Sequence, residues 1–233
     1  HQAFYRFEPD CQSLLLFLPS NRLRQPFYAV VRIGGVLFHL TNVSPINSYC
    51  VSKMKKINVV LDLDNTLISA IDEEEAEQIG IDVLSARQRK FTWMNMDDEF
   101  KVFARPGLQD FLSWLFLFFF VSVWTAASKL YASYIIQNFV IAGKPERKLD
   151  YVLFSHHCHE SKRSYKFIKS LSMMRYVFPF DYDLKNTYII DDNEEVYTAQ
   201  PNKCIKIKPF NIMKAASEND TELVRVKKIL ENI

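Results

Sequence analysis

The sequence predicts an α/β protein, a parallel sheet with helices on both faces and one small β-hairpin insertion. Short apolar runs such as "INVVLDL" and "TYIIDD" alternate with helical stretches such as "SKLYASYIIQNFV", the order that builds strand–helix–strand crossovers. Two of the runs end in acids, at the strand ends where open α/β sheets bind ligands. Of 233 residues 48% are apolar and only 5 are Gly, which favours a dense core over a loop-rich chain.

The elements follow in order. "INVVLDL", from Ile57, is a strand, and "EEEAEQIGIDVLSARQRK" is a short helix interrupted at Gly80. "FTWMNMDDEFKVFARPG" is a hairpin, because strand-like runs flank the turn-prone "NMDD". The helix "LQDFLSWL" feeds the strand "FFFVSVW", and the helix "SKLYASYIIQNFV" leads to the strand "YVLFS". "SYKFIKSLSMM" starts a helix, "TYIIDD" and "CIKIKPF" are strands, and "DTELVRVKKILENI" is a last helix with Asp220 as its N-cap.

The net charge of +2 is close to neutral, so neither nucleic acid nor a membrane surface is required as a partner. From Phe111 to Ser128 no residue is charged, near the lower length for a membrane span. A helix followed by a buried strand accounts for the run, and no span is expected. Cys11, Cys50, Cys158 and Cys204 lie far apart, as free thiols of a reducing compartment would, so the cytoplasm or nucleus is expected. The histidines and Cys158 of His156 to Glu160 are a poor zinc site, since neighbours on an extended segment point to alternate faces.

Residues 1–53 have another texture. Apolar clusters without a clean period precede the first methionine, Met54, after which "MKKINVVLDLDNTL" resembles a natural protein start. This stretch is expected to be an extension of irregular structure, with translated upstream sequence outside the native protein as one reading of it, and residues 54–233 a single catalytic domain. Its "LLLFL" lacks the basic region and small-residue cleavage site of a signal peptide.

The strand-end acids carry the chemistry. Asp62 and Asp64 sit two apart in an extended run and so share a face. Asp191 and Asp192 end another strand, and Thr125 ends a third. Carboxylates gathered in one crevice repel unless a cation neutralises them, and an all-oxygen ligand set suits Mg²⁺ with a phosphate partner.

The ordered set, D-x-D-x-T after an apolar strand, a strand ending in Thr, a Lys, then a strand ending in Asp-Asp, resembles the haloacid dehalogenase superfamily. Within it, "DLDNTL", "FARPGLQDFL", "VWTAAS..YA" and "IIDD" look like the phosphatases that act on the carboxy-terminal domain of RNA polymerase II and their NLI-interacting-factor-like relatives. The resemblance runs from about Met54 to the last helix. It implies a Rossmann-like fold and Mg²⁺-dependent phosphomonoester hydrolysis through an aspartyl-phosphate, with a phosphoserine or phosphothreonine protein as substrate.

Asp62 matches the nucleophile, and Asp64 the general acid, whose backbone carbonyl also meets the metal. Thr125, with Ala126 beside it, matches the phosphate-binding turn. Lys169 of "KSLS" matches the charge-offsetting lysine, with Lys166 in reserve. Asp191 matches a metal ligand, and Asp192 is a second ligand or orients metal-bound water. Thr66 holds the turn after the strand. Arg105 is expected in packing or an ion pair before substrate contact. Trp93, Trp124 and Tyr131 are expected in the core, with Trp124 also shaping the pocket wall.

Two departures stand out. Ser170 replaces the acid of the family's lysine motif. No large cap fits between Thr66 and Arg105, so the site is expected to be open, as suits a phosphate on a protein segment. The phosphopeptide-binding repeat domain of larger relatives does not follow the last helix, so targeting by such a module is not expected. Two other functions compete: a nucleotide or sugar phosphatase, and a catalytically silent binding module of the same fold. A limited protease digest should leave a stable fragment beginning near Met54, while equal protection of the N-terminal part would refute the division.

Overall fold

The computed structural model describes residues 57–97, 99–179 and 181–233, and the backbone of two short strands, β1 (Val30–Ile33) and β2 (Val36–His39). These strands pair antiparallel, Val30 opposite His39, within a unit that ends at Met54. The remaining expectations for residues 1–53, including those for Cys11 and Cys50, lie outside the described residues.

The second unit opens with β3 (Asn58–Leu61), whose four residues are all buried, as a central strand covered on both faces must be. The chain reverses at once after Asp64. Asn65 takes the left-handed conformation (φ 58°), which Asn tolerates better than most residues, and its N–H donates to Ile68 O at 2.8 Å. The insertion follows: β4 (Ile68–Asp72), α1 (Glu73–Ile79), α2 (Ile81–Gln88), β5 (Trp93–Met96) and β6 (Phe100–Ala104). Asp72 caps α1 by accepting from Glu75 N–H at 2.7 Å, and Gly80 (φ 84°) turns the chain into α2.

Next come α3 (Leu108–Phe118), β7 (Phe120–Trp124) and α4 (Lys129–Ile135), which continues as a π-helical segment, Ile136–Ile141. Then follow β8 (Leu149–Leu153), α5 (Ser155–Tyr165), α6 (Leu171–Val177), β9 (Thr187–Asp191), α7 (Glu194–Ala199), β10 (Cys204–Lys206) and α8 (Glu222–Leu230).

The expected α/β class holds. Among the described residues the main sheet runs β10-β9-β3-β7-β8, with every pair parallel. One face packs on α3, α4 and α8 through residues such as Val59, Leu61, Leu112, Ile135 and Val226. The other packs on α5, α6 and α7 through Val60, Trp124, Met174, Ile189 and Val196. Alternate residues of β3 feed the two cores, as the period of two requires. The chain steps from β3 outward to β7 and β8, then returns to β9 and β10 on the other side. The crevice above β3 is therefore a topological switch point, where such sheets bind ligands.

Several local expectations are corrected. The hairpin has a third strand: β4 pairs with β6, giving the order β4-β6-β5. "LISAID" lacks flanking turn residues on its far side, because Asp72 passes directly into α1. His156 to Glu160 is helical rather than extended, starting from Phe154, whose N–H donates to His157 Nδ1 at 2.9 Å. The helix expected over "SYKFIKSLSMM" is two helices, because Lys166 (φ 68°) ends α5 in the left-handed region. The last strand stops at Lys206. Among the described residues no helix is long and apolar enough to cross a membrane; the uncharged run is α3 followed by β7.

Arg105 is in an ion pair, as expected, and it ties three segments together. Its Nε and one terminal nitrogen each lie 2.8 Å from the two oxygens of Asp220. The guanidinium also donates to Thr66 O at 2.9 Å and Lys208 O at 2.8 Å, with Phe210 against it. Thr221 is the residue that precedes α8, so Asp220 lies one position before the cap; it still accepts from Glu222 N–H at 3.0 Å. Arg105→Ala should cost about 3–5 kcal/mol of unfolding free energy, since it strands several buried carbonyls and a carboxylate. Asp220→Asn, which spares the carbonyl contacts, should cost less in the same denaturant titration.

Candidate active site

Three adjacent strands, β9, β3 and β7, deliver the site residues at their C-terminal ends. Leu61 pairs with Ile190 on one side and Val123 on the other, and the Asp62 N–H donates to Ile190 O at 3.0 Å. Asp62 thus lies one residue past the last rung, beside Asp191. Ligand oxygens of Asp62, Asp191 and Asp192 all fall within 4.8 Å of one another. Asp62 and Asp191 are buried, at 5% and 0% exposure, and Asp192 is half-buried.

Of the two candidate lysines, Lys169 is the one beside the acids. Its Nζ lies 2.6 Å from Asp62 Oδ1 and 2.8 Å from Asp191 Oδ2, and the side chain is buried. Lys166 ends α5 and is exposed. The turn carrying Lys169 is stapled from both flanks. Gln200 Nε2 donates to Lys169 O at 2.9 Å while its Oε1 accepts from Leu171 N–H at 3.1 Å. Ser161, on α5, accepts from Ser170 N–H at 2.9 Å, and Glu195 accepts from Ile168 N–H at 3.2 Å.

The electrostatics are those of an incomplete charge balance. Burial opposes the Lys169 ammonium, but the Asp62 and Asp191 carboxylates outweigh it and hold its pKa above the ordinary value. Asp191 is pushed up to about 7, by burial first and by Asp62 second. Burial and then Asp62 also raise Asp192. Three carboxylates facing one ammonium leave two negative charges when all are ionised. That remainder, with oxygen-only donors, fits one divalent cation.

Asp64 stands apart from this cluster. β3 ends at Leu61, so the shared face expected of an extended run does not decide its partner. Its Oδ1 accepts a 2.6 Å hydrogen bond from the Tyr131 hydroxyl. Burial raises the Asp64 pKa, the Tyr131 bond opposes that, and the Asp62 charge raises it further. The two acids of D-x-D therefore have separate environments, one facing Lys169 and one facing Tyr131.

Thr125 lies at the end of β7, fully buried, with its Oγ1 accepting from Ala127 N–H at 3.0 Å. The hydroxyl hydrogen remains available to an acceptor. Ala126, next in the turn, is exposed. Thr66 is buried in the turn as expected, and its carbonyl is one of those held by Arg105. Trp124 is a fully buried core residue, but Trp93, also expected in the core, is exposed at the edge of the insertion sheet, where it stacks on Phe103. Tyr131 was expected in the core and is instead a site residue. Its place in "TAAS..YA", six residues beyond the strand-end threonine, was the available signal. Gln200 and Ser161 carry no such signal. The His156–Glu160 segment forms no metal-capable group among the described residues.

The family model described as NLI interacting factor-like phosphatase matches residues 57–233. The chain belongs to this family. It is thus a phosphatase, and the resemblance read from the strand-end motifs is borne out. The CTD phosphatase-like protein 355R of Invertebrate iridescent virus 6 is 45% identical over 177 residues, covering 74% of this chain and 96% of the relative. Its counterpart from Invertebrate iridescent virus 3 is 42% identical over 182 residues, covering 76% and 96%. Among solved structures, that of Fcp1, an essential RNA polymerase II CTD phosphatase, matches with a TM-score of 0.54 at 21% identity. That match covers 76% of this chain and spans 62% of the Fcp1 chain; it supports the haloacid dehalogenase fold.

The charge imbalance has a measurable consequence. Millimolar Mg²⁺ should raise the melting temperature at pH 7.5 relative to chelator, and Asp191→Asn should abolish the shift. The shift should shrink towards pH 5, because protons compete with the cation for the same oxygens. A melting curve indifferent to Mg²⁺ would contradict the fit.

Proposed function

We propose that this protein is a Mg²⁺-dependent phosphomonoesterase that works through an aspartyl-phosphate and acts on phosphoserine or phosphothreonine in a protein segment. One observation carries this. Asp62 and the Lys169 ammonium meet at the head of the switch-point crevice, while Asp64 is held separately at its mouth. A nucleophile and a general acid have different tasks, and here one carboxylate meets an ammonium while the other meets a hydroxyl.

In the first step an Asp62 oxygen bonds to phosphorus as the ester P–O bond breaks, and Asp64 gives its proton to the departing oxygen. In the second, water attacks phosphorus, Asp64 takes a proton from that water, and the Asp62–phosphorus bond breaks to release inorganic phosphate. Lys169 offsets charge on the nucleophile and the transferring group. Thr125 donates its hydroxyl hydrogen to a phosphoryl oxygen, beside the exposed Ala126 turn. Asp62, Asp191 and Asp192, with the Asp64 carbonyl, would hold Mg²⁺, which supplies positive charge against the phosphoryl oxygens.

The open approach favours a protein substrate. Between Thr66 and Arg105 the chain builds only a three-stranded sheet and two short helices. Beside Asp64 lies a cleft of about 410 Å³, lined by Ala70, Met96, Phe100, Leu130 and Tyr131, where residues flanking a phosphorylated side chain would rest. Residues 54–233 are taken as the catalytic domain, with 1–53 an extension outside it; the family match beginning at residue 57 supports this. Cys158 and Cys204 are free and buried, which suits the cytoplasm or nucleus.

Turnover of p-nitrophenyl phosphate with Mg²⁺ should fall at least about a thousandfold in Asp62→Asn. Phosphoserine and phosphothreonine peptides should exceed nucleotide and sugar phosphates in kcat/KM. The reverse order would mark a small-molecule phosphatase, and a wild type inactive on all of them would mark a silent binding module.

A further inference from the structure

The turn after β7 has two sides, and they differ in charge. On one side lies the cleft whose lining includes Asp64, Glu99, Ser128, Leu130 and Tyr131. Its two carboxylates make that side unfavourable for another carboxylate. Lys129, the first residue of α4, does not line the cleft. It stands by the start of α5 instead. The Ser155 N–H donates to Ala127 O at 3.0 Å, so α5 begins against the turn that carries Thr125. His156 follows, its ring centroid 3.8 Å from that of His157, and the Lys129 ammonium is near enough to act on its imidazole.

Lys129 and His156 are both exposed. Burial first and the Lys129 charge second lower the His156 pKa, so at pH 7.5 the imidazole is neutral and the ammonium carries the charge. Among the described residues no carboxylate is bonded to Lys129, whereas Lys162 and Arg163 of α5 are paired with Glu195 and Glu160. An unpaired ammonium four residues past Thr125 draws negative charge to that side of the phosphoryl group. We propose that Lys129 is a specificity-determining residue: it reads a carboxylate next to the phosphorylated residue, and the preferred substrate is an acidic phosphopeptide segment. The assignment rests on the protein-phosphatase reading above and adds which segments the site selects.

A flanking glutamate is repelled by Asp64 and Glu99 on the cleft side and attracted by Lys129 on the other. The acidic flank of a bound peptide therefore lies over the starts of α4 and α5. An exposed ion pair is weak and screened by salt, so the preference is a matter of a few-fold.

The test compares p-nitrophenyl phosphate with three phosphoserine peptides: one flanked by alanines, one with two glutamates before the phosphoserine, and one with two after it. In low salt, wild-type kcat/KM should be about threefold higher or more for one glutamate peptide than for the alanine peptide, and the gap should close in 0.5 M salt. Which glutamate peptide gains gives the direction in which the peptide runs. Lys129→Gln should level the two, and Lys129→Glu should place the glutamate peptide below the alanine one. Both variants should stay within about twofold of wild type on p-nitrophenyl phosphate, which has no flanking residues. A wild type indifferent to both glutamate peptides, a preference that survives Lys129→Glu, or an equal loss on every ester overturns the assignment and leaves the phosphatase reading standing. A wild type that turns over none of the peptides overturns both.

Discussion

The Lys169 ammonium, bonded to both Asp62 and Asp191 in a buried pocket, is the contact on which the site depends. Two carboxylates on neighbouring strands, without a cation between them, would push each other towards protonation. Lysine in that position keeps them close enough to act together and still leaves negative charge for a divalent ion. A buried ion pair of this kind adds little net stability over an apolar pair, because desolvation offsets the attraction. Its presence is explained by chemistry rather than by folding energy.

The surrounding structure is arranged to keep that lysine in place. Lys169 is on neither helix but in the turn between α5 and α6, where backbone freedom is greatest. Ser161, Glu195 and Gln200 remove that freedom by bonding the turn's backbone from α5 and α7. α7 directly follows Asp191 and Asp192, so the same helix that anchors the lysine turn also starts at the acid cluster. Arg105 does comparable work on the other side of β3, joining the turn after Asp64 to the approach to α8. The strand ends are therefore gripped by side chains that never touch substrate.

Separate environments for the two acids of D-x-D follow from the early end of β3. A continued strand would have placed both side chains on the same face. The chain instead leaves the sheet after Leu61 and reverses at Asn65, giving Asp62 to the lysine and Asp64 to the tyrosine. The small insertion completes the arrangement: Phe100 steadies Tyr131 from the sheet side, and the crevice stays open.

Much of this was legible in the sequence, because it depends on local pattern. Buried strands show as apolar runs, ligand-bearing strand ends show as acids at their boundaries, and helical crossovers between them force a parallel sheet. Asp62, Asp64, Thr125 and Asp191 could be picked out on those grounds. The partners could not. Asp62 and Asp191 for Lys169, Asp220 for Arg105, Tyr131 for Asp64 and Gln200 for the lysine turn are contacts between residues tens of positions apart. No periodicity encodes them, since each depends on where a turn ends and which way a side chain leaves it. The break at Lys166 shows the limit: a left-handed residue outside glycine leaves no mark in composition, yet it ends α5 ahead of the turn that carries Lys169. Sequence alone determined which chemistry the chain can hold; only the tertiary structure decided which side chains share a charge.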